Sequence, residues 1–256
     1  MRDNIPKEDE IEEAYQISGL KVAVVTLALG GEAINTLKLT CPRMEAYAKR
    51  IGADFRIISR QTILSSLGTP MFEKAQIQRL LASEYDRVIY VDADMLISDN
   101  CPDLFELVPP THVGVTLESD YIDHAIVIKS VQCELGNIGW DKIYFNAGLM
   151  VISKQHRHMF NLPCPSYIKY GDQTQLNYNI QQLNIPLYPL SGKFNYQFRN
   201  KRMTESFKRI DGLTSDNRFD AHILHYSDNP KGDVRIAEIK RDVAYISGTD
   251  KEVRII

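Results

Sequence analysis

The stretch RVIYVDADMLI, residues Arg87 to Ile97, decides the fold of this chain. Its apolar, β-branched and aromatic run from Val88 to Val91 is typical of a buried strand. The run ends abruptly in two carboxylates, Asp92 and Asp94, which are separated by one small residue. In open α/β sheets, ligands bind at the carboxyl edge of the strands. We therefore expect both aspartates to lie at a binding site on such an edge.

The spacing of the two aspartates indicates a cation site. Carboxylates this close repel each other unless a cation lies between them or one of them is protonated. Carboxylate oxygens suit hard cations, so we expect Mn²⁺ or Mg²⁺. A solvated turn after a strand is the plainer interpretation, because Asp is common in turns. The apolar residues on both sides favour the metal site, since a surface turn does not need them.

Strands and helices alternate on both sides of this stretch. Upstream, the sequence predicts strands over Lys21–Leu27 and 54–58 and helices over Ala33–Arg50 and Met71–Glu84. Pro42 is expected to break or restart the first of these helices. Downstream, it predicts strands over residues 112–117, 144–152, 185–190 and 221–226, with a helix that Asp172 would cap. Residues 118–142 are expected to form a long irregular loop of the kind that often binds ligands. The alternation predicts an α/β fold with a mostly parallel central sheet flanked by helices.

Composition sets limits on domain organisation and partners. The chain has 256 residues, of which 44% are hydrophobic, and it contains no repeat or low-complexity segment. We expect one domain over residues 20–256, preceded by an acidic tail or surface helix over residues 1–19. The net charge is -3 and no long basic run occurs. Binding to nucleic acid is therefore not expected.

Cysteine usage and hydropathy predict the compartment. Four scattered cysteines, Cys41, Cys101, Cys133 and Cys164, form no C-x-x-C pair, and this pattern is typical of free thiols in a reducing compartment. The N-terminal residues lack the apolar core of a signal peptide. No apolar run approaches the ~20 residues that span a bilayer. We expect a cytoplasmic location, no transmembrane segment, and only peripheral contact with a membrane, if any.

Six motifs occur in one order along the chain. They are Val-Val-Thr-Leu ending at Leu27, a lysine at 74, Tyr-Val-Asp-Ala-Asp at 90–94, Phe-Asn-Ala-Gly-Leu-Met-Val-Ile at 145–152, Asp-Gln-x-x-Leu-Asn at 172–177, and His225-Tyr226 with Lys231 six positions after the histidine. Together, over roughly residues 20–232, they resemble the GT-A glycosyltransferases, specifically the retaining family of glycogenin and the bacterial lipooligosaccharide galactosyltransferases.

The resemblance implies a single GT-A, Rossmann-like domain and a metal-dependent transferase. Its donor would be a nucleotide-diphosphate sugar, expected to be a UDP-sugar. Its acceptor would be a hydroxyl group of a glycan or another molecule, and the anomeric configuration would be retained. Carried over by motif, the metal ligands are Asp92, Asp94 and His225, and the catalytic residues are Asp172 and Gln173. The donor-binding residues implied are Thr26, Lys74, Asp92, Ala93, Asn146, Ala147 and Lys231.

Simpler roles exist for three of these residues. On sequence alone, Lys74 fits a solvated helix face, His225 fits a core histidine at a strand end, and Asp172 fits a helix N-cap. The chain also departs from the family, which commonly has Lys-Pro-Trp where Lys231-Gly232-Asp233 stands. The turn at 28–31 lacks the polar or aromatic residues that often bind the nucleotide base in this family. The resemblance therefore does not decide which base the donor carries.

Three other functions compete with sugar transfer. A phosphatase of the haloacid-dehalogenase type also ends a strand in Asp-x-Asp, but the mid-chain position and Met95-Leu96 argue against it. A metal-dependent sugar nucleotidyltransferase usually has a basic, glycine-rich loop after its first strand, and the turn at 28–31 has no Lys or Arg. A non-catalytic sugar-binding relative is the third, and the joint presence of Asp92, Asp94, His225 and Lys231 disfavours it.

Overall fold

The computed structural model describes residues 19–62, 70–161, 171–227 and 232–248. Nearly all of the predicted 1–19 tail lies outside these ranges. The strands are β1 Val22–Leu27, β2 Asp54–Ile58, β3 Arg87–Val91, β4 Met95–Ile97, β5 Val113–Leu117, β6 Phe145–Ser153, β7 Leu187–Leu190 and β8 Ile223–His225. The α-helices are α1 Gly31–Arg50, α2 Ile77–Ser83, α3 Leu104–Leu107, α4 Ala125–Leu135, α5 Gly171–Gln182, α6 Thr204–Asp211 and α7 Asp233–Ile246.

Six strands form the central sheet in the order β2-β1-β3-β6-β5-β7. Only β6 runs antiparallel to its neighbours, β3 and β5, among the pairings of this sheet. The prediction of a mostly parallel sheet flanked by helices is confirmed. Because β6 runs the other way, Val91 at the end of β3 lies opposite Leu149 of β6. Just beyond it, the Asp92 amide donates to the Gly148 carbonyl at 2.8 Å.

Strand β3 is buried on both faces, as its continuous apolar sequence predicts. Ile89 and Val91 pack on one side into a cluster that includes Met44 of α1. Val88 and Tyr90 pack on the other side into a cluster that includes Leu81 of α2 and Phe145 of β6. Both faces of β3 are therefore covered, and the residue that follows the strand, Asp92, is the first that is partly exposed to solvent.

A second, two-stranded sheet continues the chain beyond the aspartates. Strand β4 pairs antiparallel with β8, and Met95 lies opposite His225. The Tyr226 amide donates to the Asp94 carbonyl at 3.0 Å. This pairing carries the histidine from the far end of the chain to the Asp-x-Asp stretch.

The prediction of an irregular loop over 118–142 is wrong, because α4 occupies Ala125–Leu135. Its buried face is formed by Val127, Ile128 and Val131, which stand at helical spacing in the sequence. The charged and glycine-rich flanks obscured this stripe. Helix α1 also runs through Pro42 without a break, whereas the sequence predicted a break or restart there.

Two further expectations concern cysteines and membranes. Cys41, Cys101 and Cys133 are free thiols, as predicted, and Cys164 lies outside the described residues. Among the helices described, none combines the length and the apolar character that crossing a bilayer requires.

Candidate active site

A cavity of about 760 Å³ opens at the edge where β1 and β3 end. Its size falls within the range of roughly 300–1,000 Å³ that small-molecule sites occupy. The structure brings eight of the predicted site residues to its wall: Lys74, Asp92, Ala93, Asp94, Asn146, Asp172, Gln173 and His225. Residues from widely separated parts of the chain therefore share one cavity.

The three predicted metal ligands form a compact cluster. Asp92, Asp94 and His225 each offer one ligand atom, and these atoms all lie within 4.8 Å of one another. An octahedral Mg²⁺ with bonds of about 2.0–2.1 Å spans about 4.2 Å between opposite ligands. Small side-chain adjustments would therefore let the cluster close on one ion.

Hydrogen bonding orients the imidazole of His225. Its Nδ1 lies 2.7 Å from Asn195 Oδ1, and the Asn195 amide nitrogen donates to Asn146 Oδ1 at 2.9 Å. Since Asn195 Oδ1 can only accept, Nδ1 carries the proton. The other nitrogen, Nε2, faces Asp94 Oδ1 at 3.4 Å. Nε2 is therefore the nitrogen that faces the aspartate cluster, and the hydrogen bond at Nδ1 fixes its direction, as outer partners of metal-binding histidines do.

Gly148 is required by the close packing of these ligands. A Cβ added to it would lie 2.8 Å from His225 Cε1 and 3.0 Å from Asp92 Oδ2. Any side chain there would push the imidazole and the carboxylate away from their positions. The glycine lets the backbone of β6 support two ligand side chains at once.

Asp94 is held in its ionised form. Burial raises the pKa of this carboxyl, but His225 and Arg235 outweigh burial and lower the pKa to about 2. Arg235 Nη1 lies 3.1 Å from Asp94 Oδ2. Because His225 faces the other oxygen, at 3.4 Å, each Asp94 oxygen has its own neighbour.

Lys74 lies between two carboxylates, in the 3-10 helix Pro70–Gln76. Its Nζ is 2.9 Å from Asp172 Oδ2 and 3.2 Å from Asp92 Oδ1, and it donates to the Ala147 carbonyl at 3.3 Å. Burial favours the neutral amine, but the two carboxylates outweigh burial and raise the pKa of Lys74. Only 7% of Lys74 is exposed, so it does not occupy a solvated face.

Asp172 lines the cavity and lies within helix α5, whereas an N-cap residue would precede the helix. Helix α5 begins at Gly171, so Asp172 lies in the first turn. Burial raises the pKa of this carboxyl, and Lys74 opposes that rise. The carboxylate faces the same ammonium that contacts Asp92.

Gln173 is fixed at both ends of its amide. Its Oε1 accepts from the Ala147 amide at 3.1 Å, and its Nε2 donates to Glu118 Oε2 at 3.0 Å. Glu118 also accepts from Asn146 and Gln197. Burial raises the pKa of Glu118, but the nearby His124 and the amide donors lower it overall.

Sequence reasoning missed the role of Glu118, although a signal existed. It directly follows β5, just as Asp92 directly follows β3. The two strands run in the same direction, so their carboxyl ends meet at one edge of the sheet. An inverting transferase would need a general base, and three acidic residues of the predicted loop, Asp120, Asp123 and Asp141, are candidates by type. None of the three is among the described residues that line the cavity.

Three predicted donor-binding residues are not on the described cavity wall. Thr26 is fully buried in β1, its hydroxyl has no hydrogen-bond partner among the described residues, and the next residue, Leu27, lines the cavity instead. Ala147 is buried, and its amide and carbonyl serve Gln173 and Lys74. Lys231 lies outside the described residues. Conversely, Arg235 and Glu32 line the cavity without having been predicted.

Comparison with known proteins gives a family and a set of similar folds. The family model described as Glycosyl transferase family 8 matches residues 64–232. The structure is similar to a glycosyltransferase involved in the glycosylation of the major capsid of PBCV-1, with 12% identity over 86% of this chain and 99% of that chain and a TM-score of 0.58. No curated protein sequence matches the chain.

Two further crystal structures share the fold. One is the galactosyltransferase LgtC in complex with donor and acceptor sugar analogs, with 16% identity, coverage of 91% of this chain and 98% of that chain, and a TM-score of 0.55. The other is GlyE of Streptococcus pneumoniae TIGR4 in its apo form, with 19% identity, coverage of 90% and 62%, and a TM-score of 0.52. At such identities the likeness shows the architecture, which matches the expected GT-A fold.

Proposed function

Because the chain belongs to glycosyl transferase family 8, we propose that this glycosyltransferase moves a sugar from a nucleotide-diphosphate donor, a UDP-sugar, to a hydroxyl group of a glycan or another acceptor. The reaction depends on a divalent cation and retains the anomeric configuration. The observation that carries the proposal is the cluster of Asp92, Asp94 and His225, which faces the same cavity as the Lys74–Asp172 pair.

Asp92, Asp94 and His225 would hold Mn²⁺ or Mg²⁺. The two carboxylates suit either ion. The ionised Asp94 and the orientation of His225 Nε2 support this assignment. When bound, such an ion supplies a Lewis acid for the negative charge that builds up on the departing diphosphate.

Lys74 would stabilise the leaving diphosphate. Its ammonium is already held in place by Asp92, Asp172 and a backbone carbonyl. A fixed positive charge needs little reorganisation when negative charge develops, and removing one such donor typically costs ~2.7–4 kcal/mol in kcat terms. Ala93, Asn146 and Lys231 complete the proposed donor contacts. For Lys231 the support is the motif resemblance alone.

Asp172 and Gln173 would border the anomeric carbon. Sugar transfer passes through an oxocarbenium-like centre, which a carboxylate beneath the ring stabilises, as in glycoside hydrolysis. Asp172 is buried beside Lys74, so its charge acts in an environment with little water. Glu118 and Ala147 hold the Gln173 amide in one orientation. The motif order resembles that of the retaining relatives, and this supports retention.

The alternative functions are less well supported. The family match favours a transferase over a phosphatase or a sugar nucleotidyltransferase. A non-catalytic relative would not need the buried, cavity-facing charges of Lys74 and Asp172, which cost folding free energy. We also propose that residues 20–256 act as one catalytic domain in the cytoplasm, where the free cysteines stay reduced.

A thermal-shift panel of nucleotide sugars, with and without Mn²⁺, tests the donor and the metal together. A ligand present at 100 times its Kd stabilises the native state by ~2.7 kcal/mol. We expect this stabilisation for UDP-sugars only when Mn²⁺ or Mg²⁺ is present. Equal stabilisation in EDTA would exclude the metal-dependent site. Proton NMR of the first-formed product then reports its anomeric configuration, and an inverted product would exclude retention.

A further inference from the structure

Arg235 joins the C-terminal helix to the proposed metal site. Its Nη1 lies 3.1 Å from Asp94 Oδ2 and 3.9 Å from Glu32 Oε1, and its Nη2 donates to the Ser227 carbonyl at 3.4 Å. Only 7% of the residue is exposed, and what is exposed lines the cavity. None of the six sequence motifs includes it.

Arg235 and a bound cation would compete for one carboxylate. Asp94 gives one oxygen to Arg235 and turns the other toward His225. A divalent cation on Asp94 would place a second positive group a few ångströms from the guanidinium, and like charges at that separation repel. Cation binding therefore weakens the contact between Asp94 and Arg235.

The charges of the cavity explain where the released guanidinium would go. Among the described residues that line it, four are acidic and two carry a fixed positive charge: Glu32, Asp92, Asp94 and Asp172 against Lys74 and Arg235. This excess of negative charge attracts a cation and repels a diphosphate. Lys74 keeps its contact with Asp172 when the metal takes up Asp92, whereas Arg235 gives up Asp94 to the metal.

We propose that Arg235 exchanges Asp94 for the diphosphate of the donor when the cation binds, so that metal and nucleoside diphosphate bind cooperatively. The planar guanidinium fork matches the spacing of phosphate oxygens. The proposal rests on the proposed function, since it needs both a metal and a diphosphate at this site. It adds Arg235 to the donor-binding residues and assigns it the coupling between the two ligands.

The anchoring of α7 allows this exchange without movement of the helix. Farther along α7, Asp242 is completely buried and binds Arg218 and Tyr226. Arg235 lies in the first turn of the same helix. A rotation of the long arginine side chain therefore suffices to exchange partners.

Calorimetry on four proteins tests the exchange: the wild type, Arg235→Met, Arg235→Lys and the control Arg241→Met. Two affinities are measured for each protein, Mn²⁺ alone and UDP at saturating Mn²⁺, with GDP and ADP in parallel. Arg241 lies on the same helix, is about half exposed at 54% and does not line the cavity. Its replacement should leave both affinities unchanged.

For Arg235→Met we expect opposite changes in the two affinities. Mn²⁺ alone should bind about 5-fold more tightly, because Asp94 loses its competitor, and UDP should bind at least about 10-fold more weakly. Arg235→Lys keeps the charge but lacks the fork, so we expect weaker UDP binding with nearly unchanged Mn²⁺ binding. Thermal unfolding checks that each variant folds, and the lysine variant decides alone if the methionine variant does not fold.

Changes of the same sign in Arg235→Met, or no change in either affinity, overturn the exchange. Wild-type UDP affinity in Arg235→Lys also overturns it. The wild-type measurements separate this failure from that of the proposed function. If the wild type binds neither Mn²⁺ nor UDP, GDP or ADP, the metal-dependent donor site is wrong and the exchange falls with it.

Discussion

The clusters around Asp242 and Asp94 each pair an aspartate with an arginine, and they differ in how far they are closed to solvent. Asp242 is completely buried, and Arg218 contacts both of its oxygens, at 2.8 and 3.2 Å. Tyr226 adds a hydrogen bond of 2.8 Å to the same carboxylate. Asp94 lines a cavity, and its contacts with Arg235 and His225 are longer, at 3.1 and 3.4 Å.

The comparison separates a carboxylate whose contacts are all within the protein from one that we propose binds a metal ion. Both oxygens of Asp242 accept hydrogen bonds from other side chains of the protein, so this carboxylate has no room for a ligand. Removing its charge should lower the stability of the fold. The Asp94 cluster keeps room for a cation between side chains that already face one another. Adjacent residues of one short segment, His225 and Tyr226, serve the two clusters separately.

The largest expected effect comes from a substitution at Asp94, the carboxylate that lines the cavity. Asp94→Asn should abolish metal-dependent UDP binding and reduce turnover by at least about 10³-fold, because it removes a ligand and a charge from the proposed metal site. The fold should persist, since Asn has nearly the same shape. Calorimetry with and without EDTA measures the binding. Metal-dependent binding that survives the change contradicts the assignment of Asp94 as a ligand.

Asp172→Asn should separate catalysis from donor binding. If Asp172 only started its helix, Asn would replace it at little cost, because Asn is about as good at helix N-termini. If it stabilises the transition state, kcat should fall about 10²–10³-fold while donor affinity stays within about 2-fold of the wild type. Steady-state kinetics with an identified donor decide this. Turnover at the wild-type level would remove Asp172 from the catalytic residues.

Asp242→Asn should have the opposite effect to Asp94→Asn: it should lower stability and leave UDP binding intact. Weakening the closed cluster leaves Arg218 without its charge partner, and breaking a buried pair costs ~3–5 kcal/mol of unfolding free energy. Because Asn can still accept from Tyr226, we expect a loss of about 3 kcal/mol. Urea unfolding measures the loss, and UDP binding at a temperature where the variant is folded serves as the control. Unchanged stability would show that the closed cluster is not structural.

The smallest expected effect is the part of the pH dependence of the unfolding free energy that comes from Asp94. The folded-state pKa of Asp94 is lowered from 3.8 to about 2. A lowered carboxyl pKa adds stability that is complete above the unfolded value and is lost as the pH falls through the folded value. In EDTA, the wild type should therefore lose about 2 kcal/mol more than Asp94→Asn between about pH 4 and pH 2. Parallel stability curves for the two proteins would contradict this.

The sequence by itself determined the parts of the fold that depend on neighbouring residues. The apolar run of β3, the carboxylates at its end and the alternation of strands and helices are local patterns, because burial and strand geometry act over a few residues. Eight of the residues that the motif order predicted for the site line one cavity. Helix α4 was missed because its apolar stripe is short and lies between charged and glycine-rich segments.

Only the tertiary structure decided which charges meet. The reversed direction of β6 brings Gly148 beside Asp92 and His225, and no local pattern encodes a strand direction. Arg235 reaches Asp94 across 141 positions of chain, and Lys74 contacts Asp172 at 2.9 Å on the wall of the cavity although the two lie on different helices. Electrostatic contacts depend on distance in space, which the path of the chain sets. A residue's type therefore shows what it can bind, whereas the fold decides which partner lies within reach.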